Sequence, residues 1–444
     1  MPFWARLDAS EKRPRVNETA VRPASVNRAK NPETPVVWLF AAFPLWWALG
    51  LGAVCWIASA AVMAAALLRR RRVRVPRGFG WWLAFLGWSL ASVLQVVPPF
   101  DHMGVLYRLA IYSAATVIFL YVYEHQGREI RVERVAGALT VLWVATVAGG
   151  FLGLAFPGGS FTTPVETLLP TGFASNPFVR ELVHPQLSSI QGFLGYPVPR
   201  PQAPFPYANY WGSVYALLVP ITLGYVSTPA GRRWRPHLFL VAIMSIVPLA
   251  FSLNRTAWFS LAVGLVYAAF YVRPHRRAQA ARTGLVIAAI VAAIVYLSPL
   301  ADLLQDRVQT GHSNEGRAYL YQESIEFTLK SPLVGAGAPQ TNVEHALQPL
   351  IGTQGTLWLV LVSTGFVGLS FFLAWFVVLF RRTRRATSDL ARWCHVPVVM
   401  FLVQLPFYDM LPFQLCIVFV AGALALRDVR DHTADDATTT SVVL

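Results

Sequence analysis

The sequence predicts an all-α, polytopic membrane protein with about twelve transmembrane helices and two long external segments. Three observations carry this expectation. Hydrophobic residues make up 55% of the 444 and charged residues only 13%, too apolar a balance for a soluble domain of this length. Apolar runs of about 17 to 25 residues, the span a bilayer demands of a helix, recur along the chain. Thirty of the 37 Lys and Arg residues fall in short segments beside those runs, the cytoplasmic excess that orients a membrane protein.

The elements follow in order. Residues 1–35 are polar, basic and Pro-containing, and read as a disordered cytoplasmic tail. No short apolar stretch with a small-residue cleavage site follows it, so a signal peptide is not expected. Val36–Leu68 is apolar for about 33 residues, roughly 50 Å as one helix, which is too long for one crossing. Both its flanks are basic, so two short helices turning near Gly50-Leu51-Gly52 are expected. Crossings then follow near Phe79–Val97, Val105–Tyr123 and Val135–Phe156, and near Asn209–Val226, His237–Phe251, Thr256–Val272 and Thr283–Ser298. Three more follow near Thr356–Phe380, Val396–Tyr408 and Met410–Leu426. The transmembrane domain thus spans 36–426, with external segments at about 157–208 and 299–355. A cytoplasmic tail occupies 427–444, and both termini lie inside.

The net charge of +15 would suggest nucleic acid in a soluble protein. Here nearly all of it lies in the segments assigned to the cytoplasm, where lipid headgroups account for it. Cys55, Cys394 and Cys416 have no paired spacing, so neither a disulfide framework nor a metal site is expected. Asp302 and Asp306 are four apart, as on one helix face rather than as adjacent metal ligands. No internal repeat marks a transporter of inverted halves.

Seven basic residues remain outside the cytoplasmic segments: Arg108, Arg180, Arg200, Arg255, Arg307, Arg317 and Lys330. Arg255 lies in Ser252-Leu253-Asn254-Arg255-Thr256-Ala257-Trp258-Phe259, at the outer junction of two crossings. An ionisable group there is either functional or a snorkelling anchor. Arg317 is expected to open an amphipathic helix in Ser313-Asn314-Glu315-Gly316-Arg317-Ala318-Tyr319-Leu320-Tyr321-Gln322-Glu323. The turn Ser331-Pro332-Leu333-Val334-Gly335-Ala336-Gly337 follows. The plain alternative is a solvated face on which Arg317 pairs with neighbouring glutamates. A third stretch, Gly352-Thr353-Gln354-Gly355-Thr356-Leu357-Trp358, leads to Ser363-Thr364-Gly365-Phe366-Val367-Gly368, whose glycines also suit close helix packing.

Together these stretches resemble the O-antigen ligase and polymerase family of membrane glycosyltransferases. Asn254 to Trp258 is similar to that family's Ser-Arg-Gly/Thr-x-Trp signature, and Arg317 through Gly337 to its Arg-x(n)-Pro-Leu-x-Gly-x-Gly segment. Gln354 to Gly368 resembles its His-Asn-x-x-Leu-x-x-Leu-x-x-x-Gly-x-x-Gly stretch. Pro204 to Asn209, continuing to Pro220, resembles the Asn-containing start of its preceding helix. One departure stands out: Gln354 occupies the histidine position and Gly355 the asparagine position, while His345 lies nine residues before Gln354.

The resemblance implies transfer of a glycan from a polyprenyl-diphosphate carrier to an acceptor hydroxyl at the external face, without metal or other cofactor. Its partners would be the lipid-linked donor, a glycan or glycolipid acceptor and the bilayer. Arginine binds phosphate oxygens in a planar fork while staying charged, so Arg255 and Arg317 become the catalytic candidates. His345 and Gln354 are the candidates for the missing histidine. Arg108, Arg180, Arg200, Asn209, Glu315 and Tyr321 are candidates for substrate binding. The base that takes the acceptor proton is open among Glu315, Glu323, Glu326, Glu344 and His345. Two rival readings stand beside this one: a transporter or flippase of lipid-linked sugars, and a family member that binds glycolipid without turning it over.

Overall fold

A computed structural model describes residues 31–70, 72–96, 102–125, 129–174, 176–192, 197–272, 312–340 and 350–440. The crossing expected at Thr283–Ser298 lies outside these residues, as do Asp302, Asp306, Arg307, Glu344 and His345.

The described chain is mostly helical. The first apolar stretch, expected as two helices, turns near Gly50 but forms three, α1 (Thr34–Ala41), α2 (Phe43–Ala48) and α3 (Cys55–Leu68), the extra break falling at Ala42 just before Pro44. The turn between α2 and α3 passes through Gly50, whose φ is +84°. There follow α4 (Gly80–Ser92), α5 (His102–Glu124) and α6 (Val132–Ala155). The segment expected to be external holds three short helices, α7 (Pro164–Leu168), α8 (Thr171–Ala174) and α9 (Pro177–Val183). It also holds an antiparallel hairpin of β1 (Ser188–Gln191) and β2 (Val198–Pro201), registered Ser188 to Pro201. This hairpin departs from the all-α expectation. A Pro-rich stretch cannot close a helical ladder, and pairing two short strands satisfies its backbone instead.

Next come α10 (Ala208–Ser227), α11 (Pro229–Arg232), α12 (Arg235–Met244), α13 (Ile246–Phe251) and α14 (Arg255–Tyr271). The last four helices are α15 (His312–Lys330), α16 (Thr356–Thr383), α17 (Asp389–Gln404) and α18 (Phe413–Thr440). Arg317 therefore sits in the second turn of α15 rather than at its start. Among the described residues, three helical stretches are long and apolar enough to cross a membrane: Met103–Glu124, Val132–Ala155 and Thr356–Thr383.

Aromatic side chains fill the space between α4, α5, α16 and α18. Phe79 stacks on Phe119 at 5.2 Å, and Trp82 meets Phe419 edge-on at 4.8 Å. Several buried polar groups are paired across helices, which offsets their desolvation in an apolar surround: Trp82 Nε1 donates to Thr116 Oγ1 at 2.7 Å. Ser213 of α10 donates to Gln404 of α17, whose amide donates to Ser260 of α14 at 2.6 Å.

The bundle has two chemically distinct ends. At one, arginines meet helix termini: Arg427 donates to the Ile130 carbonyl, Arg430 to the Tyr123 carbonyl and Arg382 to the Arg77 carbonyl. At the other end α5, α10, α14, α16 and α18 begin and α17 ends. The three family-like motifs lie at that second end.

Candidate functional site

The first motif is built by a helix start. Asn254 caps α14 by accepting from the Ala257 N–H at 3.1 Å, the usual work of an Asn at this position. Its amide donates to the Asn209 carbonyl at 3.2 Å, which ties the start of α14 to the start of α10. Arg200, in β2 and only 8% exposed, closes the group. Its Nε donates to the Ser252 carbonyl at 2.8 Å and its guanidinium to Asn209 Oδ1 at 3.1 Å. Arg255, half-buried as the first residue of α14, is carried by this arrangement.

The second and third motifs interlock. The Ala336 and Gly337 N–H groups donate to the Val362 and Ser363 carbonyls, both at 2.9 Å, and the Phe366 N–H donates to the Pro332 carbonyl at 2.8 Å. This is possible because α16 breaks at Gly365, where φ is +68°, a conformation side chains other than glycine's rarely adopt. A Cβ there would lie 2.6 Å from the Pro332 carbonyl oxygen. Gly335 and Gly365 thus serve a backbone junction, while Gly368 keeps the close helix packing, facing Trp88 of α4.

All of these parts meet the turn between α17 and α18. The Thr356 N–H donates to the Tyr408 carbonyl at 2.8 Å, and Thr356 Oγ1 accepts from the Met410 N–H at 2.8 Å. Tyr321 of α15 stacks on Trp358 at 4.5 Å, and both donate to the Pro406 carbonyl, at 3.2 and 3.0 Å. A Cβ on Gly355 would lie 2.5 Å from that same oxygen. Glycine at the family's asparagine position therefore has a steric cause.

At the tip of the turn is Asp409, a half-buried carboxylate that the sequence reading overlooked. It accepts from Tyr210 OH at 3.0 Å, from the Leu411 N–H at 3.2 Å and from Thr356 Oγ1 at 3.5 Å. Desolvation raises its carboxyl above the usual carboxylate range, against those hydrogen bonds and the charge of Arg108. Asp409 is a lone acid between two apolar runs, and ionisable residues at membrane boundaries are functional candidates by default. That was the signal available.

The remaining candidates divide. Arg108, in the second turn of α5, lines a small cavity with Ser89, Ser363 and Gly337. The hydroxyls of Ser89 and Ser363 are buried there without a partner among the described residues. Arg180 is exposed on α9 and is not drawn into the group. Gln354 is half-buried in the turn before α16. Arg317 and Glu315 belong to α15, with Arg317 one turn before Tyr321; their side chains lie outside the described residues, as does His345. Glu323 and Glu326 are farther along α15, where Glu326 accepts from Gln322 at 2.8 Å. Among the described residues, no group of three or more His, Cys, Asp or Glu stands ready for a metal ion.

Comparison with known proteins adds one finding. A family model described as O-antigen ligase matches residues 239–373, the span from α12 into α16 that holds all three motifs. No curated protein matches the chain.

Proposed function

We propose that this chain, whose residues 239–373 match an O-antigen ligase family model, is a membrane glycosyltransferase of polysaccharide assembly that moves a glycan from a polyprenyl-diphosphate carrier to an acceptor hydroxyl. It does so at the external membrane face, as a ligase or polymerase of cell-surface polysaccharide. In this reading the chain crosses the bilayer about twelve times, its termini are cytoplasmic, and the end that bears the motifs is external.

The observation that carries the proposal is the convergence on Asp409. Motif one reaches the start of α10 through Asn254, and Tyr210 of α10 donates to Asp409. Motifs two and three reach the same turn through Tyr321, Trp358 and Thr356. In the proposed reaction Arg255 and Arg317 hold the diphosphate, and they stabilise the charge that grows on it as its bond to the anomeric carbon breaks. Arg108 supports the same anion beside the unpartnered hydroxyls of Ser89 and Ser363. Asp409 accepts the proton of the acceptor hydroxyl, whose oxygen forms the new glycosidic bond. This assigns to Asp409 the proton acceptance left open among Glu315, Glu323, Glu326, Glu344 and His345, and leaves Arg200 and Asn209 as residues that position the start of α14.

The test is transfer by purified protein supplied with polyprenyl-diphosphate glycan and candidate acceptors. Arg255→Ala, Arg317→Ala and Asp409→Asn should each lose transfer, while Gln354→Ala and His345→Ala should retain it. Unchanged transfer in both arginine variants would show that the diphosphate site is misassigned.

A further inference from the structure

We infer that the cavity between the α2–α3 turn, α9 and the start of α10 is a saccharide subsite that takes a neutral sugar ring. It is a pocket of about 180 Å³, lined among others by Trp47, Tyr207, Glu181, His184, Gln186 and Gln202. None of the residues assigned to diphosphate binding lines it.

The chemistry of the lining fits a pyranose. Such a ring has apolar C–H faces and a rim of hydroxyls, so it needs an aromatic surface beside convergent donors and acceptors. Trp47 and Tyr207 supply the surface, being amphipathic rings suited to sites that are part apolar and part wet. Trp47 is held edge-on to Phe161 at 5.3 Å. Glu181, Gln186 and Gln202 supply polar groups of the kind that fix orientation in a binding pocket. His184 is oriented by Glu166, 2.9 Å from its Nδ1. No Lys or Arg lines the cavity among the described residues, and Glu181 contributes negative charge. A phosphate or uronate would therefore be disfavoured.

The location links the pocket to the proposed reaction. Tyr207 donates to Glu181 at the pocket wall. Its ring meets Tyr210 edge-on at 5.2 Å, and Tyr210 donates to Asp409. A sugar in the pocket is thus separated from the carboxylate by two tyrosines. Acceptor and donor glycan present the same ring chemistry, so the pocket's chemistry fits a neutral sugar of either.

The inference rests on the transferase reading for its place in the reaction, but binding can be measured without turnover. Saturation-transfer NMR would use the full chain in lipid nanodiscs with free, phosphate-free neutral oligosaccharides, and with uronate-containing ones for comparison. Neutral sugars should receive saturation at ring C–H protons, more strongly than acidic ones. Glu181→Gln and Trp47→Ala should weaken binding by about tenfold or more, the loss of roughly one charge-assisted hydrogen bond or one ring contact. Glu181 is exposed, so its substitution should leave the thermal transition unchanged and carries the test even where Trp47→Ala does not fold. Equal binding of neutral and acidic sugars, absence of binding, or unaltered binding in Glu181→Gln would overturn the inference. Arg255→Ala separates the two claims, because it should abolish transfer and leave free-sugar binding intact. In the transfer assay, a rise in KM confined to the acceptor assigns the pocket to the acceptor, and one confined to the lipid-linked donor assigns it to the donor. An unchanged KM for both would remove the pocket from the reaction.

Discussion

Arginine is used differently at the two ends of this bundle. At the basic end Arg427, only 2% exposed, donates to the Ile130 carbonyl at 3.0 Å. Arg430 donates to the Tyr123 carbonyl at 2.8 Å and lies over the Tyr123 ring at 4.9 Å. These contacts satisfy carbonyls at and just beyond the end of α5, where the helix itself offers no donor. Among the described residues, the ion pairs made by arginine also gather at this end, joining Arg70 to Glu124 and Glu129, and Arg131 and Arg134 to Glu33. At the motif end Arg108 donates to the Gly104 carbonyl at 3.2 Å and lines a cavity where two hydroxyls have no partner among the described residues, and Arg200 holds two chain segments beside Arg255. Arginine completes the fold at both ends, through Arg427 and Arg430 at one and Arg200 at the other; what sets the motif end apart is Arg108, which lines a small polar cavity.

Substitutions at the two ends should therefore fail differently. The largest effect is expected from Asp409→Asn, a loss of about 10²- to 10⁴-fold in transfer, the usual worth of a general base, with little change in the thermal transition. A variant that transfers glycan normally would remove Asp409 from the chemistry. Arg427→Ala should do the reverse, costing roughly 1.5–3 kcal/mol of stability through lost charge-assisted hydrogen bonds, with kcat of the folded fraction preserved. Denaturation in detergent, followed by helical circular dichroism, measures it. Gly355→Asn, which restores the residue typical of the family, should cost about 1–3 kcal/mol by overpacking against Pro406. Because it displaces the Asp409 turn, it should lower both stability and rate.

The pH dependence sharpens the same contrast. Transfer should rise with pH as the Asp409 carboxyl, held above the ordinary carboxylate range, loses its proton. Its contribution to stability runs the other way. It is full below the unfolded-state pKa and is lost as pH rises through the higher folded-state value. Asp409→Asn should remove both dependences, and a pH profile that persists in that variant points to another base. The smallest effect belongs to Arg180→Ala: exposed on α9, it should change transfer by no more than about twofold, since surface substitutions away from specific contacts are nearly neutral.

Much of this organisation was legible from the chain. The break near Gly50 and the helix starts near Asn209 and Thr356 follow from local pattern, because helix length and turn glycine act over a few residues. Gly355 illustrates the limit. As a letter it is only a departure from a motif, and its reason is a carbonyl oxygen contributed by Pro406. Asp409 was missed for the same cause. No residue near it in sequence suggests chemistry, and its partners Tyr210 and Thr356 are 199 and 53 positions away.

What the sequence by itself determined is the helical, membrane-suited character of the chain, the segregation of its basic residues, and the three motifs with their order. These depend on composition and short-range periodicity, which are properties of the letters in line. Only the tertiary structure decided that Arg180 stands apart while Arg200 is buried beside Asn209. Only it showed that Gly335 and Gly365 form one junction, and that a solitary aspartate is where the motifs meet. Those outcomes depend on which distant backbones approach within hydrogen-bonding distance, and that is set by the packing of whole helices.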